Sequence, residues 1–174
     1  MPTEIEDLTE HYERYRAVTL EHLDRFSDEQ LAWRPRPNAF SCGQQFLHLI
    51  QTEDFYMHGL FEQEWSIERL RFPAVVPTKP ELNEQFEDAR AYTRTAFSTL
   101  TIDRLSAIVP PIMNSPIRWS LRSWLWYVLE HEMHHKAQIA EYMRAQLMTP
   151  PFFAMVLPEG QRPDIEARTN LGGV

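Results

Sequence analysis

The stretch His131-Glu132-Met133-His134-His135 combines residue types and a spacing that suggest chemistry. On an α-helix, histidines at i and i+4 stand roughly 40° apart around the axis, so both imidazoles can reach one metal ion. The same five residues fit H-E-x-x-H, in which two histidines bind zinc and the glutamate serves as general base for peptide hydrolysis. In a chain with seven histidines and many glutamates the match alone is weakly specific, and its surroundings decide.

Those surroundings argue against a peptidase. The metzincin form needs Gly and His where this chain has Gln138 and Glu141. A downstream glutamate ligand through Glu159 would come from a Pro- and Gly-containing tail rather than a helix, and no alternating strand pattern offers to hold an extended peptide. Two helical histidines are only part of a metal site, which usually takes at least three side-chain ligands. His48 is the best third candidate, because it lies mid-way along a largely apolar segment where an unpaired imidazole is costly. His48 taken alone also fits an ordinary core histidine bonded to a neighbour, and His58 is a weaker alternative as ligand or supporting group. His11 and His22 read as ordinary positions on the first helix.

The elements that must position these residues are helical. Thr3 with Glu6 makes a capping box before Ile5, Leu8, Tyr12, Tyr15, Thr19, His22 and Phe26 at steps of three or four. Ser27 with Gln30 opens a short helical turn around Leu31 and Trp33 that Pro35 and Pro37 end. Ser41 with Gln44 starts a helix through Phe46, His48, Ile50, Phe55 and Leu60. A third long helix begins near Pro80 with the stripe Leu82, Phe86, Ala89, Thr93, Phe97 and Leu100, and Ser120 caps a fourth running from about Leu121 to Leu147.

On that last helix Leu121, Leu125, Val128, Ile139 and Met143 form the apolar side, with His135 at its edge and His134 turned away. Glu132 falls inside the apolar arc, which a carboxylate tolerates only by meeting a metal, a cation or a hydrogen-bond donor. Residues 71–78 and 108–116 read as connections. The expected fold is all-α: one domain over residues 1–174, an antiparallel four-helix bundle over about 4–147 and an irregular tail over 148–174.

Composition narrows the function classes. A net charge of −8 with dispersed arginines disfavours a nucleic-acid partner, since phosphate neutralisation supplies most non-specific affinity. Cys42 is the single cysteine and is expected to be structural, so an intrachain disulfide is excluded and metal ligands must be mainly nitrogen and oxygen. The acidic start lacks the features of a signal peptide and no run suits a membrane span, so a cytoplasmic location is expected.

Taken together, Leu31-Ala32-Trp33-Arg34-Pro35 after an opening helix, His48 in a second, and His131-Glu132-Met133-His134-His135-Lys136-Ala137-Gln138 in a late one resemble the DinB-like (DinB/YfiT) superfamily of metal-dependent enzymes. The resemblance runs from the first helix to about residue 147. It implies a four-helix bundle, commonly a homodimer, in bacterial cells, with a three-histidine site for a divalent ion such as Zn or Ni. By position the ligands correspond to His48, His131 and His135. Lys136-Ala137 stands where members often have Arg-Gly, which bears on helix packing or a dimer contact rather than on the ligands.

Relatives with assigned functions include S-transferases that use low-molecular-weight thiols and a mycothiol-dependent maleylpyruvate isomerase. The resemblance therefore implies a thiol-dependent transferase with a small thiol and an electrophile as partners. The alternatives are a non-catalytic, dimeric, stress-related binding or scaffold protein and a metal-dependent hydrolase with Glu132 as base.

Overall fold

The computed structural model describes residues 3–113 and 115–151. Helix α1 spans Glu4–Asp24, α2 Asp28–Ala32, α3 Cys42–Glu62, α4 Lys79–Phe97, α5 Ile102–Ser106 and α6 Leu121–Ala145, with one 3₁₀ turn at Ile67–Leu70. There is no β-strand among the described residues, where Ile108 and Ser120 form a lone bridge. The expected tail lies outside the described residues from 152 onward, including Phe152, Phe153 and Glu159.

Local chemistry starts each helix where the sequence places it. Thr3/Glu6, Ser27/Gln30, Ser41/Gln44 and Thr78/Glu81 form capping boxes, and Ser120 Oγ accepts the Ser123 amide at 3.2 Å at the head of α6. Each satisfies amides that the first turn cannot pair internally. At the other end of α3, Gln63 takes a left-handed conformation (φ 63°) that closes the helix. Helix α5 and the 3₁₀ turn were not anticipated. Each is too short to carry a hydrophobic period, although Thr101, whose Oγ1 accepts the Arg104 amide at 3.1 Å, is a start signal for α5.

Side-chain contacts fix how the four long helices run. Between α1 and α6, Glu4 pairs with Arg122, Tyr12 Oη donates to the Leu125 carbonyl at 2.7 Å and Thr19 bonds Glu132, so residue numbers rise together and the two are parallel. Between α3 and α4, Phe46 meets Phe86, His58 meets Tyr92 and Phe61 meets Phe97, which is also parallel. Tyr12 against Phe97 and Arg16 against Phe86 make α1 and α4 antiparallel. Gln45 against Tyr142, His48 against His135 and Tyr56 against Trp124 do the same for α3 and α6.

The expected antiparallel packing holds for α1 with α4 and α3 with α6, while α1 with α6 and α3 with α4 run parallel. The reason lies in the connections. Short loops force neighbours to alternate, whereas residues 63–78 are long enough to run from the end of α3 back to the opposite end of the molecule; residues 98–120 join α4 to α6 at one end, where Tyr12 meets both Phe97 and the Leu125 carbonyl.

Two apolar clusters fill the interior. One gathers Leu8, Tyr12, Met57, Phe97, Trp124, Leu125 and Val128; the other gathers Leu23, Phe46, Leu82, Phe86, Ile139 and Met143. In every long helix, a buried polar residue sits between the two sets: Arg16 and Thr19 in α1, Glu53 in α3, Arg90 and Thr93 in α4, Glu132 and Lys136 in α6. This charged layer lies level with the histidines of α6.

Candidate metal centre

His48 leaves α3, and His131 and His135 leave α6 one turn apart, on faces that the antiparallel α3–α6 contact brings together. Their ring centroids are 5.0 Å (48–131), 4.6 Å (48–135) and 4.4 Å (131–135) apart. One ligand nitrogen from each lies within 4.8 Å of the other two. The structure therefore assembles the three histidines named from the sequence.

Their protonation suits coordination, because a metal takes neutral imidazole. Burial lowers the His48 pKa. Burial, then the neighbouring His48, pushes His131 down to about 4, and burial followed by His131 and His48 pushes His135 down to about 3. At neutral pH the three rings are thus mainly uncharged, the form that a metal binds.

Gln45, which sequence reasoning missed, touches this group. Its Oε1 lies 2.7 Å from His135 Nδ1 and its Nε2 3.4 Å from Tyr142 Oη. The aromatic surroundings are Phe40 and Phe72 beside His48, at 5.6 and 6.3 Å between centroids, and Tyr127 beside His131 at 6.4 Å. Trp124 is core, while Trp119 and Trp126 remain partly exposed.

Glu132 turns away from the histidines and joins the charged layer. Its Oε1 accepts from Thr19 Oγ1 at 2.5 Å and Arg16 Nε at 3.3 Å; its Oε2 faces Arg16 Nη2 at 3.5 Å and Arg90 Nη2 at 3.7 Å. Burial works to raise its pKa, but Arg16 and Arg90, with Thr19 and Lys136, reverse that and hold it at about 2. Glu53 takes the other half, bonded to Arg16, to Arg90 Nη2 at 3.2 Å and to Thr93 Oγ1 at 2.6 Å. Lys136 Nζ sits 4.8 Å from the Tyr15 ring centroid. The oddity of a carboxylate in an apolar arc is thereby explained by cations, not by the metal group. Arg16, Glu53 and Arg90 had a legible signal, each being a charge within an apolar helical stripe.

The other singled-out residues fall elsewhere. His134 is exposed and bonds Gln138 at 2.8 Å. His58 stacks on Tyr92 at 3.9 Å and faces Asp54, Glu62 and Glu64, with Arg69 bound to both Asp54 and Glu64. That second His–carboxylate group is accounted for by these pairings. It borders an open cavity of about 1050 Å³ between α3, α4 and residues 68–77 that includes none of the three histidines. His11 packs edge-on against Trp126. His22 is fully buried with Nδ1 2.7 Å from the Val18 carbonyl. Cys42 is buried, its thiol pushed up to about 12 by burial, and it is capped by Gln146, so it is structural as expected.

The described residues form an all-helical fold in which three histidines from two helices could hold a metal ion. Residues 11–139 match the DinB superfamily, and the chain belongs to it. The superfamily is generally metal-associated. A DinB-like protein from Bacillus subtilis superposes with a TM-score of 0.67 at 20% identity, covering 84% of this chain and 96% of that one. A DinB-like protein from Bacillus cereus does so with 0.66 at 20% identity, over 81% and 91%. At that identity the likeness is one of fold. No curated protein matches the chain.

Proposed function

We propose that this chain is a divalent-metal-dependent enzyme in which His48, His131 and His135 hold one ion, Zn or Ni, and a small thiol is activated for attack on an electrophile. The observation that carries the reading is the convergence of three neutral imidazoles from α3 and α6 on one point, next to aromatic rings rather than carboxylates. Three protein nitrogens leave a coordination position open. When bound, such an ion supplies Lewis acidity and lowers the pKa of a thiol that reaches it. The chain's own residues hold the ion through the two helices, keep carboxylates away from it and offer Phe40, Phe72 and Tyr127 as an apolar border for a substrate.

A hydrolytic reading has less support, because both oxygens of Glu132 are committed to Arg16, Thr19 and Arg90. In this proposal the four long helices act as a four-helix bundle, and the protein works in the cytoplasm of a bacterium as a homodimer. Trp126 and Met133, partly exposed one heptad apart on α6, offer a strip for a second copy. None of the helices among the described residues is long and apolar enough to cross a membrane.

The test is a panel of low-molecular-weight thiols against haloaromatic and epoxide electrophiles, with metal-loaded wild type and His135→Ala. Metal-dependent conjugation that the variant loses is the expected result. A metal-loaded wild type that turns over no thiol, with none consumed across the panel, overturns the transferase reading and leaves the non-catalytic binding role.

A further inference from the structure

We infer that Gln45 is a positioning residue for the three-histidine group, fixing His135 in the tautomer whose Nε2 lone pair faces the site. The inference rests on the metal reading above and concerns a contact between α3 and α6. Gln45 lies three residues before His48, and its side chain, 3% exposed, is held inside the structure. Its Oε1 is 2.7 Å from His135 Nδ1, a full-strength hydrogen-bond distance.

An amide can present either end to an imidazole, and the two choices have opposite consequences. With oxygen toward His135, Nδ1 carries the proton and donates, and Nε2 keeps its lone pair for a cation. With nitrogen toward His135, the amide donates to Nδ1, the ring proton moves to Nε2 and the metal-facing nitrogen is blocked. In the first orientation Gln45 Nε2 lies 3.4 Å from the Tyr142 hydroxyl, which accepts the amide N–H. Trp33 lies edge-on to the Tyr142 ring at 5.6 Å and holds it in place.

Gln138 also hydrogen-bonds His135, whereas the other two rings have no such support. Among the described residues, neither His48 nor His131 has a hydrogen bond to a ring nitrogen, and neither pKa shift has a hydrogen bond among its causes. Gln45 thus ties one ligand of α6 to the helix that carries His48, and orients the group as a whole. Metal-binding histidines depend on such outer partners, whose loss typically costs about 10- to 100-fold in affinity.

The test uses the full chain and two variants. Gln45→Met removes the acceptor at similar volume, and Gln45→Glu keeps an acceptor at the same place. In the metal-free wild type, imidazole nitrogen NMR should find His135 as the Nδ1–H tautomer, and Gln45→Met should move it toward Nε2–H. Titration with Co²⁺ should give about 10- to 100-fold weaker binding in Gln45→Met at unchanged stoichiometry, and recovery in Gln45→Glu. An Nε2–H tautomer in the wild type, or wild-type Co²⁺ affinity in Gln45→Met, overturns the assignment. If the wild type takes up no Co²⁺ or Zn²⁺, the metal reading fails while the tautomer of the metal-free protein still decides the role of Gln45, with no variant needed.

Discussion

Replacing Glu132 by Gln separates two meanings of the H-E-x-x-H stretch. If Glu132 were a base poised over the metal, the variant would fold normally and lose turnover. The structure instead places it at 4% exposure between Arg16, Thr19, Arg90 and Lys136. Its pKa falls from 4.5 to about 2 in the fold, which corresponds to about 3 kcal/mol of stability at neutral pH, at about 1.4 kcal/mol per unit. Breaking a buried ion pair from one side typically costs about 3–5 kcal/mol, which agrees. Glu132→Gln keeps the shape and the Thr19 contact but leaves Arg16 and Arg90 sharing Glu53, the one other buried carboxylate among the described residues.

Urea unfolding of the metal-free proteins at pH 7 should therefore show a loss of about 3 kcal/mol, a midpoint shift of roughly 1–2 M for an m-value near 2 kcal/mol/M. Metal stoichiometry should not change. The sign of the pH dependence follows from the depressed pKa. Protonation is resisted in the fold, so the stabilisation is present above 4.5 and is lost as pH falls toward 2, and the variant should show a flatter profile over that window. A variant as stable as wild type that nevertheless fails to bind metal would refute this reasoning.

The histidines make a separate prediction. His131 at about 4 and His135 at about 3 lie below the unfolded value of 6.5, so the unfolded chain takes up protons first and the metal-free protein should lose stability as pH falls from about 6.5 toward 4. Urea midpoints at pH 7 and pH 5 should differ less in His131→Ala/His135→Ala than in wild type, and an equal difference would contradict it. Cys42, fully buried with its thiol near 12, should resist an aromatic disulfide reagent in the native protein and release one equivalent in urea. Rapid labelling of the native protein would contradict its placement.

The helix starts were legible because capping boxes are local: Thr3/Glu6, Ser27/Gln30 and Ser41/Gln44 each need four residues and no partner elsewhere. The gathering of His48, His131 and His135 was legible for a similar reason, His131 and His135 being set by helical pitch and His48 singled out by its cost in an apolar stripe. Helix direction was not, since periodicity is the same read either way and the crossover depends on residues 63–78. Partners across helices were equally hidden. Glu132 announced that it needed a cation, but nothing local identified Arg16, 116 residues away, and Gln45 lies 90 residues from His135.

The central claim is that three side chains hold one ion. Elemental analysis of protein purified without added metal measures it most directly, alongside His48→Ala, His131→Ala and His135→Ala. About one divalent ion per wild-type chain and a marked loss of occupancy in each variant are expected. A wild-type chain that carries no ion and takes up none on titration with Zn²⁺ or Ni²⁺ would contradict it.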